Sequence, residues 1–323
     1  MVTAERPSTN GPVLVTGAGG FAGGHLLELL SGRHELVAWS RSQPSSELAP
    51  LARWQQVDLL DRDRVRSVVR DVRPAAVYHL AGFSHVAESF ADPVKPLAGN
   101  VLGTHHLFDA LRRARLACRV VLTGSATVYA SSGSPLTEDS PLAPTSPYGL
   151  SKLVQEQLGL RAVGEDGLGI MVTRPFNHTG PRQTPSFMAP TVARQLALIE
   201  RGKLEPIIRI GNTSPQRDLS DVRDVVRAYE ALMEVGEPGQ IYNVASGIGR
   251  AVGDVLDALI SRSRVPVRTE ADPERMRAAD VPILVGDATR LRAATGWQPR
   301  ISFDRMIDDL LEYWRKVAAL NAP

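Results

Sequence analysis

The stretch Val13-Leu14-Val15-Thr16-Gly17-Ala18-Gly19-Gly20-Phe21-Ala22-Gly23 decides the fold. Its apolar start predicts a strand over 12–16, and Phe21, Leu26, Leu27, Leu29 and Leu30 predict an apolar helix over 22–30. Between them Gly17, Gly20 and Gly23 form a G-x-x-G-x-x-G run. A tight turn, a close backbone approach to a pyrophosphate and close helix–strand packing each exclude a side chain. The start of the helix, with Phe21 and Ala22, then offers unpaired N–H donors to phosphate oxygens. A glycine-rich turn without a ligand is the bland alternative.

Outward from this turn, short apolar runs alternate with amphipathic stretches. Strands are predicted at 35–39, 54–57, 75–80, 119–123 and 169–173, and helices at 61–72, 100–114 and 148–163. Parallel strands buried on both faces and joined by crossover helices give this rhythm, so the fold class is α/β with a doubly wound sheet. After Pro175 the rhythm changes to Pro- and Gly-rich segments such as 181–190, with helices at 191–201 and 222–235. A smaller α/β lobe is expected there. Phe303, Ile307, Leu310, Leu311 and Trp314 form a packing stripe on a helix over 302–319. The expected division is a loose tail over 1–11, a first domain over 12–175 and a second lobe over 176–323.

Composition narrows the class. With 323 residues, 43% hydrophobic and 22% charged, the chain is long enough for two lobes and too apolar for extended disorder. A net charge of +2, from 37 basic and 35 acidic residues, argues against a nucleic-acid partner. No apolar run reaches the roughly 18–20 residues of a membrane helix, so no membrane partner is expected. The single cysteine, Cys118, forms no internal disulfide, supplies no cysteine-rich metal site and points to a reducing cytoplasmic compartment. A small buried residue is its simplest role.

At the end of the second strand, where an acidic side chain selects NAD by binding the ribose 2′-hydroxyl, this chain has Ser40 and Arg41. A guanidinium suits a 2′-phosphate, so NADPH (NADP) is favoured, with NAD as the other possibility. Arg41 as a solvated loop residue is the competing reading. Asp58 and Leu59 follow the third strand, where Asp58 either bonds the adenine amino group or caps the helix beginning near Asp61. Leu80, Ala81 and Gly82 follow the fourth strand at the edge where cofactors lie, and Pro175 is assigned to the same cofactor.

Tyr148 and Lys152 stand four apart at a helix start, so both side chains share one face. The chain's lysines are Lys95, Lys152, Lys203 and Lys316, which makes a chance Tyr-x-x-x-Lys improbable. A phenol becomes useful as an acid–base group when a neighbouring ammonium lowers its pKa. Ser125 and then Thr127 follow the fifth strand, at the edge that would bring a hydroxyl to the same substrate oxygen. Alone, such residues are turn formers.

Together the glycine turn, Ser125-Ala126-Thr127-Val128-Tyr129, Tyr148-x-x-x-Lys152 and the order of elements resemble the extended short-chain dehydrogenase/reductases that act on nucleotide sugars. The runs Arg174 to Gln183, Gly211-Asn212, Arg217-Asp218 and Tyr242 to Gly247 are similar to the GDP-sugar branch. The resemblance spans roughly 12–315. It implies a Rossmann-like cofactor domain with a C-terminal lobe closing over a GDP-linked sugar, and a homodimer built on helices near 100–114 and 148–163. It also places Asn177 near sugar and phosphates, Arg217 and Arg277 on the diphosphate, and Asn212 on ribose or base.

The 4,6-dehydratases of this branch carry an Asp-Glu or Ser-Glu pair just after the catalytic Thr, where this chain has Ala126 and Thr127. Without that carboxylate, elimination loses its acid–base group, a loss of about two to four orders of magnitude in rate. The resemblance therefore implies NADPH-dependent reduction of the C4 ketone of GDP-4-keto-6-deoxy-D-mannose to GDP-D-rhamnose. The alternatives are a nucleotide-sugar 4-epimerase with tightly bound NAD, a 4,6-dehydratase, and a non-catalytic protein that keeps the cofactor fold. The string Ser125 to Tyr129 also resembles the epimerases, whereas Ser40-Arg41 does not.

Overall fold

The computed structural model describes residues 11–272 and 281–320, so most of the expected N-terminal tail and Arg277 lie outside the described residues. The strands are β1 (Val13–Thr16), β2 (Leu36–Ser40), β3 (Arg53–Gln56), β4 (Ala76–His79), β5 (Arg119–Thr123), β6 (Gly169–Pro175), β7 (Asn177–Thr179), β8 (Ile207–Ile210), β9 (Gln216–Asp221), β10 (Ile241–Val244), β11 (Gly249–Ala251), β12 (Arg268–Ala271) and β13 (Ile283–Leu284). The helices are α1 (Phe21–Leu30), α2 (Arg62–Val72), α3 (Val86–Ala91), α4 (Val94–Pro96), α5 (Gly103–Arg113), α6 (Pro147–Asp166), α7 (Met188–Ile199), α8 (Val222–Val235), α9 (Val252–Ile260), α10 (Thr289–Thr295) and α11 (Phe303–Leu320).

The main sheet has seven strands in the order β10-β6-β5-β4-β1-β2-β3, all parallel. This is the doubly wound arrangement, with the order reversing beside β1 and β4. Two apolar layers cover its faces. Leu26 and Leu27 of α1, Tyr229 and Leu232 of α8 and Leu291 of α10 pack on one side. Val65 and Val69 of α2, Leu107 and Leu111 of α5 and Ala162 of α6 pack on the other. Cys118 is buried in the second layer, and burial pushes its thiol up to about 12, as suits an inert core residue.

A third core joins α7, α9 and α11. It takes in Ile307, Leu310, Leu311 and Trp314, with Phe303 partly buried at its margin, as the helical stripe predicts. Beside it, β9 pairs with β11, β13 and β7.

The chain does not divide cleanly at 175. After leaving the main sheet at β6 it returns with β10, which pairs along the outer side of β6 from Ile241↔Val172 to Val244↔Pro175. Helix α8 likewise comes back to pack beside α1. An apolar strand such as Ile241-Tyr242-Asn243-Val244 covers the edge that β6 would otherwise expose. A second difference lies before α5. The expected helix start at Asn100 falls inside a π-helical turn, Leu97–Leu102, which runs on into α5. Single π-helical turns reposition side chains without ending a helix, and they are frequent at functional sites.

Candidate active site

Gly17 has φ +69°, in the region that only glycine adopts freely, and a Cβ there would stand 2.6 Å from the Ala81 nitrogen. A Cβ on Gly23 would stand 2.3 Å from the Gly17 oxygen. The turn is thus closed against both β4 and its own helix. Gly20 caps α1 without a side-chain bond, so the first N–H groups of the helix face outward, as an anion site requires. The Phe21 ring is used in packing: it stacks on His178 at 5.9 Å and meets His25 edge-on at 5.7 Å. Ala22 and Leu80 pack on the adjoining apolar layer. These residues fit a bound dinucleotide, because the cradle is one that a side chain would fill.

A Cβ on Gly19 would stand 3.0 Å from Ser40 Oγ, which places the end of β2 beside the turn, with Arg41 exposed next to it. Asp58 does not cap α2. Its Oδ1 accepts from the Leu60 N–H in a local turn, while Asp61 caps the helix by accepting from the Arg64 N–H. Asp58 is exposed, and its neighbour Leu59 is half-buried, accepting at its carbonyl from His106 Nδ1. Pro175 is buried at the carboxyl end of β6, opposite Val244.

The four candidate catalytic residues come together at the carboxyl edge of β5. Ser125 and Thr127 lie 2.9 Å apart through their hydroxyls, and the Tyr148 hydroxyl is hydrogen-bonded to Ser125. Ser146 caps α6 by accepting from the Gly149 N–H, and Pro147 takes the first helical position, so the helix begins just before Tyr148. Gly149 is fitted closely there: a Cβ would stand 2.7 Å from the Thr127 oxygen.

Burial raises the Tyr148 hydroxyl above its ordinary value, and the bond to Ser125 opposes that rise. The downward pull therefore comes from Ser125, not from Lys152 as the spacing alone suggests. Lys152 instead donates to the Thr123 carbonyl at 2.9 Å and to Gln155 Oε1 at 2.9 Å. Burial lowers its ammonium to about 7.

Several residues around this cluster escape motif reading. Asn100, carried by the π-helical turn, accepts from the Phe83 N–H at 2.7 Å and donates to Ser151 Oγ at 2.9 Å. Ser151 in turn donates to the Tyr148 carbonyl. Glu156 forms a paired bond with Arg174, at 2.6 and 2.9 Å. Its spacing of four from Lys152, which repeats that of Lys152 from Tyr148, was the available signal.

On the other lobe the candidates are less closely gathered. Asn177 is exposed at the start of β7, directly after β6. Asn212 is exposed and accepts from the Ser214 N–H and hydroxyl, which makes it a turn former in addition to whatever it contacts. Arg217 donates to the carbonyls of Gln216 and Val281. Its neighbour Asp218 is buried and accepts from Ser246 and Gly247, fixing the loop after β10. Among the described residues, no three His, Cys, Asp or Glu side chains gather as a metal site, and no helix is long and apolar enough to cross a membrane.

Three comparisons bear on this geometry. The family described as GDP-mannose 4,6 dehydratase matches residues 14–310. A GDP-6-deoxy-D-mannose reductase of Pseudomonas aeruginosa is 34% identical over 305 residues, 94% of this chain and 96% of the reductase. A UDP-glucose 4-epimerase of Bacillus subtilis is 32% identical over 92% of this chain and 95% of its own. Among solved structures, RMD from Pseudomonas aeruginosa complexed with NADPH superposes with a TM-score of 0.85 at 32% identity, covering 95% of this chain and all of that one.

Proposed function

This chain belongs to the GDP-mannose 4,6-dehydratase family of extended short-chain dehydrogenase/reductases, and from that premise we propose that it reduces the C4 ketone of GDP-4-keto-6-deoxy-D-mannose to GDP-D-rhamnose, with NADPH as the preferred reductant. The observation that carries this reading is the Ser125–Tyr148–Lys152 cluster beside the glycine cradle, with Thr127 where the dehydratases have a carboxylate. The similarity to the Pseudomonas aeruginosa reductase supports it.

When bound, the nicotinamide supplies the hydride. Tyr148 gives its hydroxyl proton to the C4 oxygen as that oxygen gains charge. A phenol held above its ordinary value remains protonated at neutral pH and is therefore suited to donate. Ser125 holds the phenol and orients the carbonyl, with Thr127 supporting Ser125. Lys152 binds the nicotinamide ribose. Gly17, Gly20 and Gly23 admit the pyrophosphate, Ser40 and Arg41 receive the adenosine phosphate, and Asn177, Asn212, Arg217 and Arg277 belong to the sugar-nucleotide side.

The test is to mix purified protein with NADPH and GDP-4-keto-6-deoxy-D-mannose and follow NADPH absorbance. Substrate-dependent loss with a 6-deoxyhexose product by NMR is expected; no loss refutes the reading. The second reading, a nucleotide-sugar 4-epimerase, is favoured by the Ser125 to Tyr129 string and by the epimerase similarity. It requires NAD to co-purify and no net NADPH use.

The proposed assembly is a homodimer through the helices near 100–114 and 148–163, where the apolar residues Leu102, Leu150 and Val154 are 46%, 48% and 36% exposed. Val154→Asp should shift the sedimentation coefficient to that of a monomer.

A further inference from the structure

Lys152 lies within a chain of buried polar groups that no sequence motif marks. Gln155 donates through Nε2 to Thr104 Oγ1 at 2.7 Å, and Thr104 Oγ1 lies 2.9 Å from His79 Nε2. His79 Nδ1 lies 2.7 Å from Thr16 Oγ1, which accepts the Ala81 N–H at 3.2 Å. Thr16, His79, Thr104 and Gln155 are fully buried. The chain thus runs from the catalytic helix, through α5 and β4, to the strand that leads into the glycine turn.

The orientation of Gln155 follows from chemistry. An ammonium only donates, so the amide oxygen must face Lys152 and the amide nitrogen must face Thr104. Thr104 supplies the oxygen that receives that nitrogen, and the amide is held at both ends.

We propose that Gln155 is a positioning residue for Lys152: pinned by Thr104, its carbonyl joins the Thr123 carbonyl in taking two of the three ammonium hydrogens and leaves the third for the cofactor side of the cleft. The edge at Gly82 is consistent with this, since a Cβ on Gly82 would stand 3.8 Å from Lys152 Nζ. The proposal rests on the reading of Lys152 as a catalytic residue and deepens it.

The same contact supports the charge. Lys152 is buried with no carboxylate bonded to it, and its ammonium is lowered to about 7. The titratable groups around it are His79 from β4, Tyr148 one turn earlier on α6, Tyr229 of α8, which faces Tyr148, and Glu156, which is engaged by Arg174. Burial and the Lys152 charge lower His79 to about 3, so the imidazole is neutral and adds no competing charge. The polarity of the Gln155 carbonyl is then a main determinant of how readily Lys152 keeps its proton.

The experiment uses the full chain with carbon-13 in the lysine ε-methylene. Lys95, Lys152, Lys203 and Lys316 give few signals, and Lys152→Met identifies the one of interest. In the unsubstituted protein Lys152 should titrate near 7. Gln155→Glu should raise its proton affinity at least about tenfold, and Gln155→Met should lower it at least about tenfold. Thr104→Val should lower it several-fold through the unpinned amide. The alkaline limb of kcat for ketone reduction should move in the same order.

Equal Lys152 midpoints in the unsubstituted protein, Gln155→Glu and Gln155→Met would overturn the proposal and leave Gln155 as packing. Should Gln155→Met fail to fold, Gln155→Glu and Thr104→Val decide the question by the same midpoints. Absence of any ketone turnover in the unsubstituted protein would refute the reductase reading alone, because the NMR titration needs no substrate.

Discussion

Around Lys152 of α6 the bonded partners are neutral, whereas around Arg174 of β6, which bonds Glu156 one turn further along the same helix, the partner is a carboxylate. Lys152 is held by a backbone carbonyl and an amide. Arg174 is held by both oxygens of Glu156, by the Tyr129 hydroxyl and by the Glu138 carbonyl, with the guanidinium 4.8 Å from the Tyr129 ring. Although burial works against the Arg174 charge, the Glu156 bonds hold it above its ordinary value. Two buried cations, one on α6 and one on the strand packed against it, therefore differ in purpose. The compensated charge is permanent and fastens α6 to β6. The uncompensated one is easily changed, as acid–base chemistry requires.

Removing the carboxylate is the most severe test of this contrast. Glu156→Ala leaves a buried guanidinium unpaired and should cost about 3–5 kcal/mol of stability, read by denaturant unfolding. Next, Tyr148→Phe should lower turnover by about a hundredfold or more while NADPH binding stays nearly unchanged, because only the proton donor is lost. Arg41→Ala should weaken NADPH by about tenfold and NADH little, measured by titration of intrinsic fluorescence. Smallest is the stability effect of Lys152→Met. It should change unfolding free energy by no more than about 1–2 kcal/mol in either direction, since it removes a buried charge but leaves the carbonyls of Thr123 and Gln155 without their donor. A loss as large as that of Glu156→Ala would erase the distinction between the two cations.

The strand–turn–helix at Val13 to Leu30 was legible because local pattern and glycine sterics agree, and its predicted bounds differ from the observed ones by only one residue at each changed end. Tyr148 and Lys152 were legible for a similar reason: a helix fixes the relation between positions four apart. The π-helical turn that places Asn100 left no such mark, since no residue type requires it. Thr16 and His79 read as ordinary strand residues until β1 and β4 are paired. Gln155 gains meaning only when α6 lies against Thr104. The return of β10 to the main sheet was also hidden, because pairing across some seventy residues is a tertiary event rather than a local propensity.

That late-arriving strand bears on how the protein is made. During synthesis β1 to β6 emerge first, and β6 has no outer neighbour until Ile241 to Val244 leave the ribosome. For that interval the nascent chain carries an open hydrogen-bonding edge backed by an apolar layer, a surface on which strands from other chains can add. A gene fragment ending at Pro175 would make that interval permanent, and the polypeptide it encodes should accumulate in the insoluble fraction.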